Sequence, residues 1–542
     1  MDFITENLLT ILILLPVLGA LATLGHALFW KQEDNLKWVT LIFTVINFLI
    51  SLFLFGSQTA SSSGFSFEKN IPWIRAINTS YHVGVDGLSI WLVLLTTFMM
   101  PIAVISTWHA VEKSRTAFFV FLLLLESAMI GVFVSLDLLV FYLFFEASLV
   151  PMFFLIGIWG GENRIYSAVK FFIFTAFGSL LMLVAIIGLY YLYATATGGA
   201  GTFDFVTLLS AMKAGKLTLA AQTGSLLFWA FAIAFAIKVP LFPFHTWLPD
   251  AHTDAPTAGS VILAAVLLKM GTYGLMRFNF ALFPDASRKF AWIFIILAVI
   301  GIIYGALVAM VQPDVKRLVA YSSVAHMGFV ILGMFSFTEY GMQGAVYQML
   351  NHGVSTGALF LLVGFIYERR HTRQITDFGG IANVMPIYAT IFVITTMSSI
   401  GLPFLNGFVG EFLIMLGMWK SHALDAIYLW NWNWNYVATM FAGTGVIFAA
   451  VYMLWMVQRV FFGKVTNPKN KTLKDLSWRE LGLIAPLLIL MVYMGVFPKP
   501  FLDRSRESVV AIQERVMGQA GGTIEKVENS PESKVQSPKS EQ

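Results

Sequence analysis

Cysteine is absent from all 542 residues, which excludes disulfides, thiolate-held iron–sulfur clusters and thiol nucleophiles together. Charge is scarce too: Asp, Glu, Lys and Arg make up 12% of the chain, against about 25% in an ordinary soluble domain. That deficit excludes a soluble globular class. No basic block with interleaved aromatics is present, so nothing tracks a phosphate backbone, and the net charge of +4 is too small to argue otherwise. No glycine-rich nucleotide-binding loop is found. The N-terminal run MDFITENLLTILILLPVLGALATLGHALFW has no basic leader and no small-residue cleavage site, and reads as a retained first span.

What remains is apolar: 58% hydrophobic and 15% aromatic residues, with a mean hydropathy of +0.77. Fourteen runs begin near Leu8, Leu36, Leu88, Thr116, Leu138, Ile165, Leu226, Thr257, Phe290, Val315, Tyr340, Pro386, Tyr436 and Glu480. Each run of about 18 to 28 residues is long enough to cross a hydrocarbon core of about 30 Å. The fold class expected is an all-α polytopic membrane protein of about fourteen transmembrane helices. Two longer polar connections interrupt them, at about 57–86 and 194–224, and SFEKNIPWIRAINTSYHVGVDG in the first predicts a surface hairpin. The segment 499–542 is polar and predicts a disordered tail.

Lys and Arg sort by side. The connections on the N-terminal side hold eight, those on the opposite side seventeen and the tail seven, leaving only Lys238 and Lys269 inside spans. By the positive-inside rule the termini lie outside the cytoplasm. A lysine near the bilayer centre costs about 2.5–3.5 kcal/mol on insertion scales, so these two require a reason. Glu126, Glu146, Glu411, His326 and His352 also fall inside spans. Taken singly, each has an ordinary reading: Lys269, eight residues from Arg277, could snorkel to the interface; Glu126 could be protonated between helices; either histidine could be a neutral core side chain. Taken jointly, two lysines confined beside three glutamates and two histidines predict a buried polar axis, because intramembrane charges face the protein interior and pair. Prolines mark the same places. KVPLFPF follows Lys238 and GLPFLNG precedes Glu411. Five spans separate these two proline-broken segments, and an odd number reverses orientation, as in inverted repeats built around a midplane ion site.

The stretch KVPLFPFHTWLPDAHTDAPTAGSVILAAVLLKMGTYGL, with VKRLVAYSSVAHMGFV and NGFVGEF, resembles the antiporter-like proton-pumping subunits of respiratory complex I, NADH:quinone oxidoreductase. The likeness runs from about Leu88 to Phe462. It implies two inverted five-helix repeats with helices 7 and 12 broken. The segments are then 1–115 (helices 1–3), 116–277 (first repeat), 288–462 (second repeat), 480–498 (helix 14) and the tail 499–542. It also implies roles in proton transfer: Glu146 pairs with Lys238, Lys269 passes protons to the centre, His326 and His352 connect, and Glu411 is the terminal site. Two of the three related subunits carry lysine where this chain has Glu411, which narrows the resemblance to the third. Phe145 departs from the tryptophan the family often places before its helix-5 glutamate.

The resemblance implies no cofactor in this chain; NADH, FMN, iron–sulfur clusters and quinone would belong to partner subunits, among them related antiporter-like subunits of the membrane arm. It implies a multi-pass protein of the bacterial inner membrane with periplasmic termini. Three alternatives stand beside it: a subunit of a multisubunit sodium/proton antiporter, the equivalent subunit of a ferredoxin-fed photosynthetic relative in a thylakoid membrane, and an electron carrier with haem held by His326 and His352.

Overall fold

The structure is a computed structural model and describes residues 2–30, 35–56, 64–425 and 432–518. Among the described residues, thirteen helices are long and apolar enough to cross a membrane. A fourteenth crossing is made in two pieces. In chain order the helices are α1 (Asp2–Trp30), α2 (Leu36–Ser51), α3 (Ser89–Ser106), α4 (Arg115–Val134), α5 (Leu138–Trp159), α6 (Arg164–Thr197), α7a (Ala221–Lys238) and α7b (Trp247–Asp254). There follow α8 (Thr257–Leu282), α9 (Pro284–Met310), α10 (Val315–Phe335), α11 (Glu339–Arg370), α12a (Pro386–Ser399), α12b (Asn406–Trp419), α13 (Trp434–Phe461) and α14 (Trp478–Val496). Between α2 and α3 the expected hairpin is present, β1 (Ser66–Ile74) pairing antiparallel with β2 (Thr79–Val85).

The apolar windows of α8 and α11 are buried throughout, whereas those of α2 and α13 are only 28% buried. A central column therefore stands inside a rim whose exposed Leu, Ile and Phe side chains face outward. That is the arrangement expected of a multi-pass membrane protein.

The inverted repeat is drawn in main-chain hydrogen bonds. Asp137 caps α5, accepting from the Leu139 and Val140 amides at 2.9 and 3.2 Å; Asp314 caps α10, accepting from Lys316 and Arg317 at 2.7 and 3.1 Å. A short antiparallel bridge then ties each cap to the connection that follows the next helix. In the first half Leu138 donates to Phe203 and Phe205 to Leu136; in the second Val315 donates to Arg373 and Ile375 to Pro313. The same device recurs five spans apart, which places the two copies on opposite faces.

Both broken helices are where the prolines predict them, and each break is repaired locally. Pro240 and Pro243 have no N–H to give, and the carbonyl of Ile237 is taken by the Trp247 indole at 2.9 Å. In the other break Gly401 adopts φ +74°, and the Asn406 side chain accepts from Ser398 at 2.5 Å. Gly407 approaches so closely that a Cβ there would lie 2.1 Å from the Ser398 carbonyl oxygen.

The expectation of a disordered tail is corrected. Lys499–Met517 is a helix, α15, whose buried residues Ser505, Val509, Ile512 and Val516 fall on one face. Its polar groups strap it to the N-terminal-side ends of the spans. Arg504 donates to Leu54 O at 2.9 Å, Gln513 to Phe337 O at 3.0 Å and Arg515 to Ala281 O at 3.2 Å, while Ser508 accepts from the Gly87 amide at 3.0 Å. The polar composition was legible; that its cations meet helix-end carbonyls was not. Residues 519–542 lie outside the described residues.

The Gly407 contact predicts that Gly407→Ala sharply lowers the yield of folded protein, since the obstructing atom is backbone. Gly482→Ala, where nothing lies within 4 Å of the new methyl, leaves yield unchanged or improved. Size-exclusion profiles of the two variants in detergent check both.

Candidate functional site

Lys238 ends α7a at the first break and is 1% exposed. Its Nζ has no hydrogen-bond partner and instead lies over the ring of Phe145 at 5.0 Å and of Phe171 at 5.7 Å. An aromatic face stabilises a cation through its quadrupole, so Phe145 supplies a π-surface at the position where the family often has tryptophan. Glu146 follows Phe145 on α5, half-buried, with its Oε1 unpartnered. No contact within 4 Å joins carboxylate and ammonium among the described residues. The implied Glu146–Lys238 pair stands open.

Lys269 is fully buried, and the snorkelling reading fails. Its helix is π-wound on both sides, at Leu263–Leu267 and Leu275–Asn279. Such widened turns leave carbonyls free of the usual ladder, and Nζ donates to the Ala264 carbonyl. Its second partner is His352 Nδ1 on α11, at 2.7 Å. Arg277, the expected interfacial anchor, is itself buried and ion-paired with Asp86. Burial alone would raise the Asp86 carboxyl, but the Arg277 guanidinium, the Ser89 amide and other donors hold it below its ordinary value.

From Lys269 the polar groups continue. The His352 and His326 rings are 5.7 Å apart. His326 Nε2 faces the Ser399 carbonyl at 3.0 Å and Glu411 Oε1 at 3.9 Å, and Gln348 donates to the same Glu411 oxygen at 3.3 Å. Asn351 bridges Gln348 and the Asn406 carbonyl at 2.9 and 2.7 Å. His326, Gln348, Asn351, His352 and Ser399 line a cavity of about 10 Å3, close to what a single water centre needs.

Hydrogen-bond roles follow from the partners. A carbonyl only accepts, so His326 Nε2 carries a hydrogen and its Nδ1, without a partner, is free to accept. With Lys269 as ammonium, His352 Nδ1 accepts and the hydrogen sits on Nε2, also unpartnered. The His326 N–H is given to the Ser399 carbonyl, so its 3.9 Å approach to Glu411 is a contact and not a hydrogen bond.

The axis has a gap. Among the described residues no hydrogen bond links Lys238 to Lys269; α7a and α8 meet there through Val239 and Gly271. Glu126 is not on the axis either: it accepts from Asn47 at 2.8 Å between α4 and α2.

Two residues escaped the sequence reading. His252 in α7b is fully buried, stacks on Phe360 at 4.5 Å, and has neither ring nitrogen partnered. Lys316, counted among the loop cations, is 6% exposed and donates to the Ala255 carbonyl. The polar motif around His252 and the nearness of Lys316 to a helix start both signal an interface, and only packing shows them enclosed.

Because the His252 ring stacks on Phe360 and neither nitrogen has a partner among the described residues, His252→Phe, which keeps the stack and adds volume, is expected to cost no more than about 1–3 kcal/mol, the range for modest overpacking. Thermal unfolding of the purified protein checks this; a larger loss shows that the nitrogens hold buried water.

Residues 135–443 match the family model described as NADH:quinone oxidoreductase/Mrp antiporter, TM. The chain is 45% identical over 525 residues to NADH-quinone oxidoreductase subunit M of Rhodobacter capsulatus, covering 95% of this chain and 98% of the relative. Among solved structures it is similar to a chain of respiratory complex I from Thermus thermophilus with bound NADH, at TM-score 0.81 and 31% identity over 95% of this chain and 100% of that one. A chain of the Mrp complex from Dietzia shares the fold at TM-score 0.76 with 18% identity, covering 94% and 99% of the two chains.

Proposed function

The chain belongs to the NADH:quinone oxidoreductase/Mrp antiporter transmembrane family, and from that premise we propose that it moves protons along its buried Glu, Lys and His axis as a membrane-arm subunit of NADH:quinone oxidoreductase. The observation that carries this reading is the succession Lys269, His352, His326 and Glu411, joined at one end by a 2.7 Å hydrogen bond and closed at the other by a 3.9 Å approach, with a small cavity beside the two histidines.

A proton leaving Lys269 enters His352 at Nδ1 while Nε2 releases another to a water in that cavity. His326 repeats the exchange and delivers to Glu411. Histidine suits this because it accepts and donates at different atoms. At the other end Lys238 and Glu146 form a pair able to close and open: closed, the carboxylate holds the ammonium's proton; open, as here, the lysine is poised to give it up. The close packing of Val239 on Gly271 separates the two ends until water or movement joins them. Moving a charge against 100 mV costs about 2.3 kcal/mol, so the drive comes from quinone reduction in other subunits. Those partners, including related antiporter-like subunits, hold NADH, FMN, iron–sulfur clusters and quinone.

The orientation proposed is periplasmic termini in a bacterial inner membrane. Strapping α15 to the N-terminal side adds four cations there, Lys499, Arg504, Arg506 and Arg515, and the bias narrows to twelve against seventeen without reversing. Complex I is favoured over a sodium/proton antiporter by the 45% likeness to subunit M, to which Glu411 had narrowed the resemblance, and by the much lower identity to the Mrp chain. The likeness to NADH-linked relatives likewise favours NADH over ferredoxin as the complex's electron source.

Lys238→Met is expected to cut NADH-driven proton uptake by inverted membrane vesicles at least fivefold, with coupled NADH oxidation falling alongside and the complex still assembled on native gels. Unchanged uptake with full assembly would reduce Lys238 to a structural residue.

A further inference from the structure

The caps of the two repeats are tied by the same bridge, yet a different side chain pins each. In the second half the pin is Arg373, whose Nε donates to Asp314 at 3.1 Å and whose Nη1 donates to Thr253 O at 2.6 Å. In the first half the pin is His82 of β2, 2% exposed, whose Nδ1 meets Asp204 and whose Nε2 meets Glu68 at 2.8 Å. The main chain of β2 holds the start of α5 directly: Leu136 donates to His82 O at 2.8 Å, and Asp137 accepts from the Ser80 amide at 3.1 Å while capping α5. Asp204 in turn faces Asp137 across the bridge and caps the short surface helix Phe205–Lys213 through Thr207 at 2.7 Å.

We propose that His82 is a positioning residue for Glu146, a proton-operated pin that fixes the start of α5 when the N-terminal side is acidic and loosens it when that side is alkaline. A guanidinium stays charged at every physiological pH, so the Arg373 pin is permanent. An imidazole is not. Protonated, it donates from both nitrogens and satisfies both carboxylates; neutral, it has one N–H, and one carboxylate is left against a ring lone pair. The pin titrates on one face of the membrane only.

The surroundings fix the sign. Burial alone would lower the His82 value, but Asp204 and Glu68 outweigh it and raise it above the ordinary one. Asp204 is held low, chiefly by the His82 contact against burial, and Asp137 is pushed up to about 6 by burial despite the Ser80, Val140 and Leu139 amides. Glu68, Asp204 and Asp137 are the titratable groups around the ring. A raised histidine value means that its stabilisation is complete below the ordinary imidazole value of about 6.5 and is lost as pH rises through the raised one.

The functional half of this inference rests on the proposed proton translocation; the structural half does not, and the experiment separates them. In the purified complex, amide hydrogen exchange over 138–147, corrected for intrinsic rates, should show protection falling about tenfold or more between about pH 6 and about pH 9, a range that brackets imidazole titration. In His82→Arg, which copies the permanent pin of the other repeat, protection should stay constant. Protection independent of pH in the native chain overturns the inference, whether or not the variant assembles. In vesicles, raising the pH on the N-terminal side should lower protons moved per NADH about twofold for the native chain and leave His82→Arg level. Exchange that follows pH without any change in pumping would keep the pin and overturn its role in positioning Glu146.

Discussion

Inside hydrocarbon a backbone amide or carbonyl has no water to turn to, and every departure from a helix must be repaired by the protein itself. The architecture follows from that constraint. Among the described residues the crossings are helical because helices satisfy themselves, and the two that break are repaired by buried side chains even though Leu402 and Phe404 of the second break are exposed. There a Trp247 indole takes up one freed carbonyl, and Asn406 with its serine and asparagine neighbours closes around the other. The breaks are local polar islands carrying Lys238 and Glu411, while Lys269, His326 and His352 sit between them on α8, α10 and α11.

The islands are economical in charge. Lys269 meets a carbonyl and an imidazole but no carboxylate, and Lys238 meets two aromatic rings. A tightly closed buried ion pair would hold its proton too well to pass it on. On the proposed reading, weak partners keep each group exchangeable, and the π-wound turns of α8 provide one such partner without a side chain having to be added.

Around this core the two repeats share a frame and differ in fittings. Both start their cap-bearing helix with aspartate and tie it to the connection after the next helix. One frame is closed by guanidinium and the other by imidazole, so a symmetric scaffold answers asymmetrically to the solutions it separates. The α15 strap lies on the imidazole side, joining the ends of spans from both repeats.

How much of this the sequence held differs by level. Hydropathy sufficed for the spans because a helix in lipid is specified by local composition, and the prolines after Lys238 and before Glu411 located both breaks. The scarcity of intramembrane charge singled out seven ionisable residues within the spans, Glu126 among them, since each is costly in hydrocarbon. Sequence could not say which of those residues touch. That Lys269 meets His352 across 83 positions, that Lys238 lies over Phe145 without meeting Glu146, that Lys316 and His252 are enclosed, and that the polar tail begins as a strap were all decided by tertiary packing. The reason is physical: the cost of burying a charge is written in its own side chain, but its partner is set by which helices pack together.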